Sequence, residues 1–170
     1  VECVSANPTG PLHFGNARGG PIGDSIARVL EFSGYSVLRE YIDNDRGNQV
    51  IELGKTLAAK AGLISVKDED LTYKGEYTQD LANEVKNELG GFDNKTEDEI
   101  INTFGEAGVK LQFEEIIADC HSMGVDFDLI VHESDLQIKA KAEIVKLEKK
   151  GLIKKKDGAL WFSPHNEFLN

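Results

Sequence analysis

The fold is best inferred from residues 5–20, which read Ser5-Ala6-Asn7-Pro8-Thr9-Gly10-Pro11-Leu12-His13-Phe14-Gly15-Asn16-Ala17-Arg18-Gly19-Gly20. The residues before this segment alternate small apolar with polar side chains, which predicts a short β-strand over residues 1–5. Two prolines and a glycine within residues 8–11 then break regular structure. After residue 20, apolar side chains recur at helical spacing (Ile22, Ile26, Val29, Leu30), and Gly34 is a stop signal. The segment therefore predicts a point at which a strand is followed by a helix.

This predicted junction has the features of an anion site. The backbone N–H groups at the start of a helix lack partners within the helix, and the helix dipole favours negative charge there. Glycines at 15, 19 and 20 allow a ligand to approach the backbone closely. His13 and Asn16, three residues apart, each add a side-chain donor. We interpret the segment as a cradle for nucleotide phosphates.

The first 62 residues predict the start of an α/β domain. A second strand is predicted over residues 35–42, followed by the polar turn 43–48 and a helix that ends at Gly62. A helix that crosses between two successive strands implies parallel pairing and a doubly wound sheet. Asp43, Asn44 and Asp45 in the polar turn fit either metal or ribose contacts or an ordinary solvated turn.

Residues 63–124 have a different pattern. Apolar side chains at helical spacing predict helices over about 76–89 and 97–122, and no strand is indicated between them. We therefore expect a helical insertion at 63–124. Residues 125–170 return to the α/β framework, with a strand at 127–131, a helix from Ser134 to Lys150, and a hairpin turned by Asp157-Gly158.

Composition restricts the class of protein. The chain has 170 residues, of which 40% are hydrophobic and 29% charged, as in an ordinary globular domain. No apolar run is long enough for a membrane span, and the start, with Glu2 and no basic segment, predicts no signal peptide. The two cysteines, Cys3 and Cys120, lack metal-ligand spacing, and we expect Cys120-His121 to be buried structure. These features predict a cytoplasmic protein without a metal site of its own.

Charge is distributed unevenly. A net charge of −11 argues against nonspecific nucleic-acid binding by the chain as a whole. Lysines are nevertheless concentrated near the C-terminal end, at positions 139, 141, 146, 149, 150, 154, 155 and 156. Such a run fits either a solvated helix face or an edge that faces tRNA.

Several segments together resemble one family. The stretch Ser5 to His13 followed by Gly15 resembles the HIGH motif of class I aminoacyl-tRNA synthetases, and its long preamble with Arg18-Gly19 is particularly similar to arginyl-tRNA synthetases. Further resemblances are REYIDNDRGNQ at 39–49, YKGEY at 73–77 and DGALW at 157–161. The resemblance implies a partial Rossmann-like (HUP-type) parallel sheet with a helical insertion and a C-terminal β-hairpin.

The resemblance also implies a reaction and a set of site residues. The arginine carboxylate attacks the α-phosphorus of ATP, and tRNA(Arg) then accepts the arginyl group from the adenylate. The implied catalytic residues are His13 and Asn16, although many relatives have a second histidine at the latter position. The implied ATP-binding residues are Pro11, His13, Gly15, Asn16 and Gly19. Those implied for arginine are Glu2 for the guanidinium, Ser5 for the amino group and Asn7 for the backbone end. Mg²⁺ is expected to accompany the ATP. No membrane partner is expected.

Two other functions remain open from the sequence. The chain could belong to a different HIGH-type nucleotidyl transferase, or it could be a nucleotide-binding module without catalysis. Class I synthetases also resemble one another in a lysine-rich KMSKS loop, which is absent here. We therefore expect the 170 residues to hold one half of the site and to be inactive alone.

Overall fold

The computed structural model describes residues 1–163, apart from the side chain of Ile138. The chain divides into two compact units, Val1–Glu133 and a second unit that begins at Ser134. In chain order the elements are α1 (Phe14–Ala17), α2 (Gly19–Phe32), β1 (Glu40–Asp43), α3 (Asn48–Lys60), a 3₁₀ turn (Asp68–Asp70), α4 (Tyr77–Leu89), α5 (Glu97–Ser122), β2 (Leu129–His132), α6 (Glu133–Lys149), β3 (Ile153–Lys156) and β4 (Ala159–Phe162).

The first unit contains the predicted parallel sheet. Strands β1 and β2 pair in parallel, with Glu40 opposite Leu129 and Asp43 opposite His132. Glu2 adds an isolated parallel bridge to Glu40. The mixed α/β class with a parallel sheet is therefore confirmed, and both strands end on the same edge of the sheet.

The prediction of an extended strand over residues 1–5 is wrong. Val4 and Ser5 have positive φ angles of 64° and 39°, so the chain turns sharply after Cys3. The Ser5 N–H donates to the Cys3 carbonyl at 2.9 Å. The turn carries Ala6 into the core, where its carbonyl accepts a 2.7 Å hydrogen bond from the Tyr41 hydroxyl. Tertiary packing thus overrides the alternating pattern of residues 1–5.

The first helix also differs from its prediction. Helical structure begins at Phe14, is interrupted at Arg18 and continues as α2 from Gly19, earlier than expected. The buried face of α2 consists of Gly20, Gly23 and Ala27. These small residues let α2 pack closely against its neighbours. At Gly20, for example, a Cβ would lie 3.3 Å from the side chains of both Val4 and Val125. The larger apolar side chains of α2, Ile22, Ile26 and Val29, are exposed.

A helical core occupies the middle of the first unit. Helices α3, α4 and α5 surround buried apolar side chains that include Leu53, Leu57, Val85 and Phe104. The observed bounds of α4 and α5 match the predicted ranges closely. The division of the chain at residues 62 and 124 stays a prediction. Helix α3 lies before the first of these boundaries, and it packs extensively on α5, which lies after it.

The second unit contains most of α6 and the predicted C-terminal hairpin. Strands β3 and β4 are antiparallel, with Lys156 opposite Ala159. Asp157 and Gly158 form the two-residue turn with φ angles of 52° and 77°, as the sequence predicts. Over residues 1–163, none of the helices combines the length and apolar character that a membrane crossing requires.

Candidate active site

The segment that opens the sequence analysis forms the wall of a cavity of about 500 Å³. After the sharp turn at Val4 and Ser5, Ala6 is hydrogen-bonded to Tyr41 of β1, and Pro8 is also buried. The cavity is lined by Ser5, Ala6, Asn7, Thr9, Gly10, Pro11, His13, Asn16, Gln49, Tyr73 and Tyr77. It therefore combines the loop before α1 with the start of α3 and the segment before α4.

His13 and Gly15 are packed against each other. His13 precedes α1 in an extended conformation and is exposed, and its side chain makes no capping hydrogen bond to the helix. A Cβ built on Gly15 would lie 2.9 Å from Cε1 and 3.0 Å from Nδ1 of His13. Residue 15 must therefore be glycine for the imidazole to keep this position. Asn16, one turn along, lines the same cavity.

Asn7 is held by two neighbouring amides. Its Nδ2 donates to Oε1 of Gln49 at 2.7 Å, and its Oδ1 accepts from Nδ2 of Asn44 at 2.7 Å. These two hydrogen bonds fix the orientation of the Asn7 amide, because one end donates and the other accepts. Ser5 is anchored differently, since its hydroxyl accepts a 3.0 Å hydrogen bond from the backbone N–H of Ile42 in β1.

Two tyrosines from the segment before and at the start of α4 close the opposite wall. The Tyr77 hydroxyl donates to the Thr9 carbonyl at 2.8 Å, and the same ring lies against Gly10, where a Cβ would be 2.9 Å from the hydroxyl oxygen. Burial raises the pKa of Tyr77 to about 12, so this phenol stays a neutral donor. Tyr73 is half-buried beside it.

Among residues 1–163, the electrostatics of the cavity lining come from hydrogen-bonding groups and not from carboxylate, lysine or arginine side chains. Among its lining residues within the described part of the chain there is no carboxylate, so nothing there repels a phosphate. The hydrogen-bond donors that the lining can offer include the imidazole of His13, the amide of Asn16 and the hydroxyl of Thr9. The same lining includes no lysine or arginine, so charge neutralisation from these walls is limited to hydrogen bonding.

The structure brings five of the predicted site residues together. Ser5, Asn7, Pro11, His13 and Asn16 all line the cavity. Three others are not among the lining residues. Glu2 is exposed beside the sheet, Gly15 supports His13, and Gly19 lies at the start of α2, where a Cβ would be 3.5 Å from the Val4 nitrogen.

Sequence reasoning gave no role to Gln49, Tyr73 or Tyr77. All three fall within segments that carry the family resemblance, and that was the available signal. Their contacts with the loop could not be inferred from spacing, since Gln49 is 42 residues from Asn7 and Tyr77 is 68 residues from Thr9.

Comparison with known proteins gives consistent results. The family model described as tRNA synthetases class I (R), catalytic domain, matches residues 1–164. An arginine–tRNA ligase of Kineococcus radiotolerans is 39% identical over 163 residues, which is 95% of this chain and 29% of the relative. One of Caldanaerobacter subterraneus subsp. tengcongensis is 38% identical over 168 residues, with 30% of its length covered. The chain thus spans about 30% of the length of these curated relatives.

Solved structures have the same fold. A crystal structure from Campylobacter jejuni, assigned as an arginyl-tRNA synthetase, superimposes with a TM-score of 0.76 at 32% identity and covers 95% of this chain and 36% of its own. The arginyl-tRNA synthetase of Thermus thermophilus superimposes with a TM-score of 0.59 at 24% identity, which supports the fold alone. The chain belongs to the catalytic-domain family of class I arginyl-tRNA synthetases.

Proposed function

We propose that this chain supplies the ATP-facing half of the active site of an arginine–tRNA ligase. The reaction joins the arginine carboxylate to the α-phosphate of ATP with release of pyrophosphate, and then transfers the arginyl group to tRNA(Arg). The observation that carries the proposal is the position of His13 and Asn16 on one cavity without carboxylates, with Gly15 leaving room for the imidazole. Such a lining places hydrogen-bond donors beside a bound polyphosphate without a carboxylate to repel it.

The proposed roles follow from the chemistry of each residue. His13 donates a hydrogen bond to oxygens of the α-phosphate, where negative charge increases as pyrophosphate departs. Asn16 donates through its amide, which preserves hydrogen bonding without supplying charge. Pro11, Gly15 and Gly19 leave space for the nucleotide to approach the backbone. The exposure of Pro11 and Gly15 supports this space, whereas Gly19 contacts the backbone of Val4 and its role rests on the resemblance of the sequence.

Arginine is proposed to bind at the Ser5 end of the same cavity. Ser5 meets its amino group and Asn7 its carboxylate end, and the fixed amide of Asn7 supports this assignment. Glu2 is proposed as the guanidinium partner because a carboxylate can accept two parallel hydrogen bonds from it. Its carboxylate is exposed but lies outside the cavity lining, so the support for Glu2 is the resemblance of the sequence.

Mg²⁺, tRNA(Arg) and a cytoplasmic location complete the proposal. The cavity lining offers no carboxylate ligand, so Mg²⁺ would be held by the ATP phosphates themselves. The lysines near the C-terminal end, most of which are exposed, supply a surface for the tRNA backbone. Both cysteines are free thiols, which supports a reducing compartment.

ATP–pyrophosphate exchange across all amino acids tests the reaction and its specificity. The assay uses a protein of the relatives' length that carries these residues, with tRNA(Arg) present. We expect exchange with arginine alone, and a loss of about 10²–10³ in turnover for His13→Ala, as for one preorganised donor. A loss under threefold would contradict the role of His13. Exchange with another amino acid would favour a different HIGH-type enzyme, and no exchange at all would favour a binding module.

A further inference from the structure

We propose that Asp43, Asp45 and His132 form a binding site for a divalent transition-metal ion of the zinc class. The site lies at the carboxyl ends of the two parallel strands, where open α/β sheets commonly bind ligands. It is lined by a different set of residues from the cavity that contains His13. The proposal does not depend on the proposed synthetase reaction.

The register of the two parallel strands places the three proposed ligands close together. Asp43 is the last residue of β1 and His132 the last of β2, and they lie directly opposite each other. Nδ1 of His132 is 2.7 Å from Oδ2 of Asp43. Asp45 follows two residues after β1, and one ligand atom from each of the three residues lies within 4.8 Å of the others. Adjacent ligands of a tetrahedral zinc ion with bonds near 2.0 Å are roughly 3.3 Å apart, so small adjustments suffice.

A buried oxygen without a partner points to a ligand at this position. Asp43 is only 2% exposed. Its Oδ2 is engaged by His132, but its Oδ1 has no hydrogen-bond partner among residues 1–163. A buried carboxylate oxygen in this state is costly. A bound cation would satisfy this oxygen directly.

The surroundings leave room for an ion. Asp43, Asp45 and His132 border a cavity of about 230 Å³. The guanidinium of Arg46, on its wall, is already paired with Glu106 at 2.7 Å. Lys110, on the same wall, is exposed to solvent. Neither Arg46 nor Lys110 therefore supplies the missing partner of the Asp43 Oδ1 atom.

The donor set selects the class of metal. One imidazole nitrogen with two carboxylates suits Zn²⁺ or Co²⁺, whereas Mg²⁺ and Ca²⁺ prefer oxygen ligands only. The ion would bind Nδ1 of His132, from which the proton moves to Nε2, and would bind the two carboxylates. The side chain of His132 is 39% exposed, so the site has an entry path and room for a water ligand.

Titration calorimetry of the full 170-residue chain with Zn²⁺, without ATP, tests the site. We expect saturable binding of one ion and much weaker binding of Mg²⁺. His132→Ala should lower the affinity for Zn²⁺ at least tenfold, within the range seen for lost metal-site groups. Asp45→Asn is the second variant: it replaces a half-buried carboxylate with an amide of nearly the same shape, and it should also weaken Zn²⁺ binding.

His121→Ala is the matched control. His121 pairs with Asp126 at 2.6 Å, but both are exposed, and no third ligand joins them in the described part of the chain. Zn²⁺ affinity in this variant should equal that of the parent chain. Absence of saturable binding in the parent chain, equal losses in the His121 and His132 variants, or equal binding of Mg²⁺ would each overturn the proposal. Because ATP is absent, these results are independent of synthetase activity.

Discussion

Gly15 acts through its neighbour His13, and this relation can be tested at single-residue scale. A methyl group at position 15 would lie 2.9 Å from Cε1 of the imidazole, so the ring must shift from its present position. In a protein of the relatives' length, we expect Gly15→Ala to lower turnover in pyrophosphate exchange by up to about 10²–10³, the loss expected for His13→Ala. The double variant with His13→Ala should be no worse than either single variant, because both remove the same interaction. Additive losses would show that Gly15 acts independently of His13.

His121 should titrate above its ordinary range. Its Nδ1 hydrogen-bonds to Asp126, which favours the charged imidazolium and raises the pKa of His121 above 6.5. The stabilisation from this pair is present below pH 6.5 and is lost as pH rises through the folded-state pKa. NMR titration should detect the raised pKa, and Asp126→Asn should return it toward 6.5. An unchanged pKa in that variant would rule out Asp126 as the cause.

Helices α3 and α5 meet at glycines, and this contact can be tested by adding a methyl group. A Cβ on Gly54 would lie 2.1 Å from the Ile101 carbonyl oxygen and 2.7 Å from the Gly105 nitrogen, both of which are backbone atoms. The helices would have to separate. We expect Gly54→Ala to lower the free energy of unfolding by about 1–3 kcal/mol in urea denaturation, as overpacking does.

Gly19→Ala is the control for this helix contact. Gly19 is also helical, but its Cβ would meet nothing nearer than 3.5 Å. Alanine should be neutral or slightly stabilising there, because it has the higher helix propensity. Equal destabilisation by both substitutions would mean that glycine itself, and not the close crossing of α3 and α5, is required.

At the scale of elements, predictions succeeded where the determining signals are local. The apolar spacing over residues 97–122 predicts helix α5, and in the structure this helix begins after Thr96, whose side chain forms a capping box with Glu99. The hairpin follows in the same way from Asp157 and Gly158. The strand over residues 1–5 failed because the chain turns at Val4 and Ser5. The next residue, Ala6, accepts a hydrogen bond from Tyr41, which is 35 residues away in sequence.

For the molecule as a whole, the sequence predicted the site loop but not its opposite wall. Ser5, Asn7 and His13 were identified from one contiguous segment. Gln49 and Tyr77 reach the same cavity only through folding of α3 and α4, and no periodicity reports such a contact. The pairing of Asp43 with His132 also depends on the register of two strands 89 residues apart in sequence.

The 170-residue chain by itself should not charge tRNA. It spans 29–30% of the curated relatives, and its cavity walls, as far as residue 163, offer neither a cation for the departing pyrophosphate nor a carboxylate for the guanidinium. Hydrogen-bond donors remain, so we expect weak binding of ATP and weaker binding of arginine in titration calorimetry. His13→Ala should weaken the ATP signal further, because it removes one of these donors. A charging assay with tRNA(Arg), run beside a protein of the relatives' full length, completes the test, and aminoacylation by the 170 residues alone would contradict this division of the site.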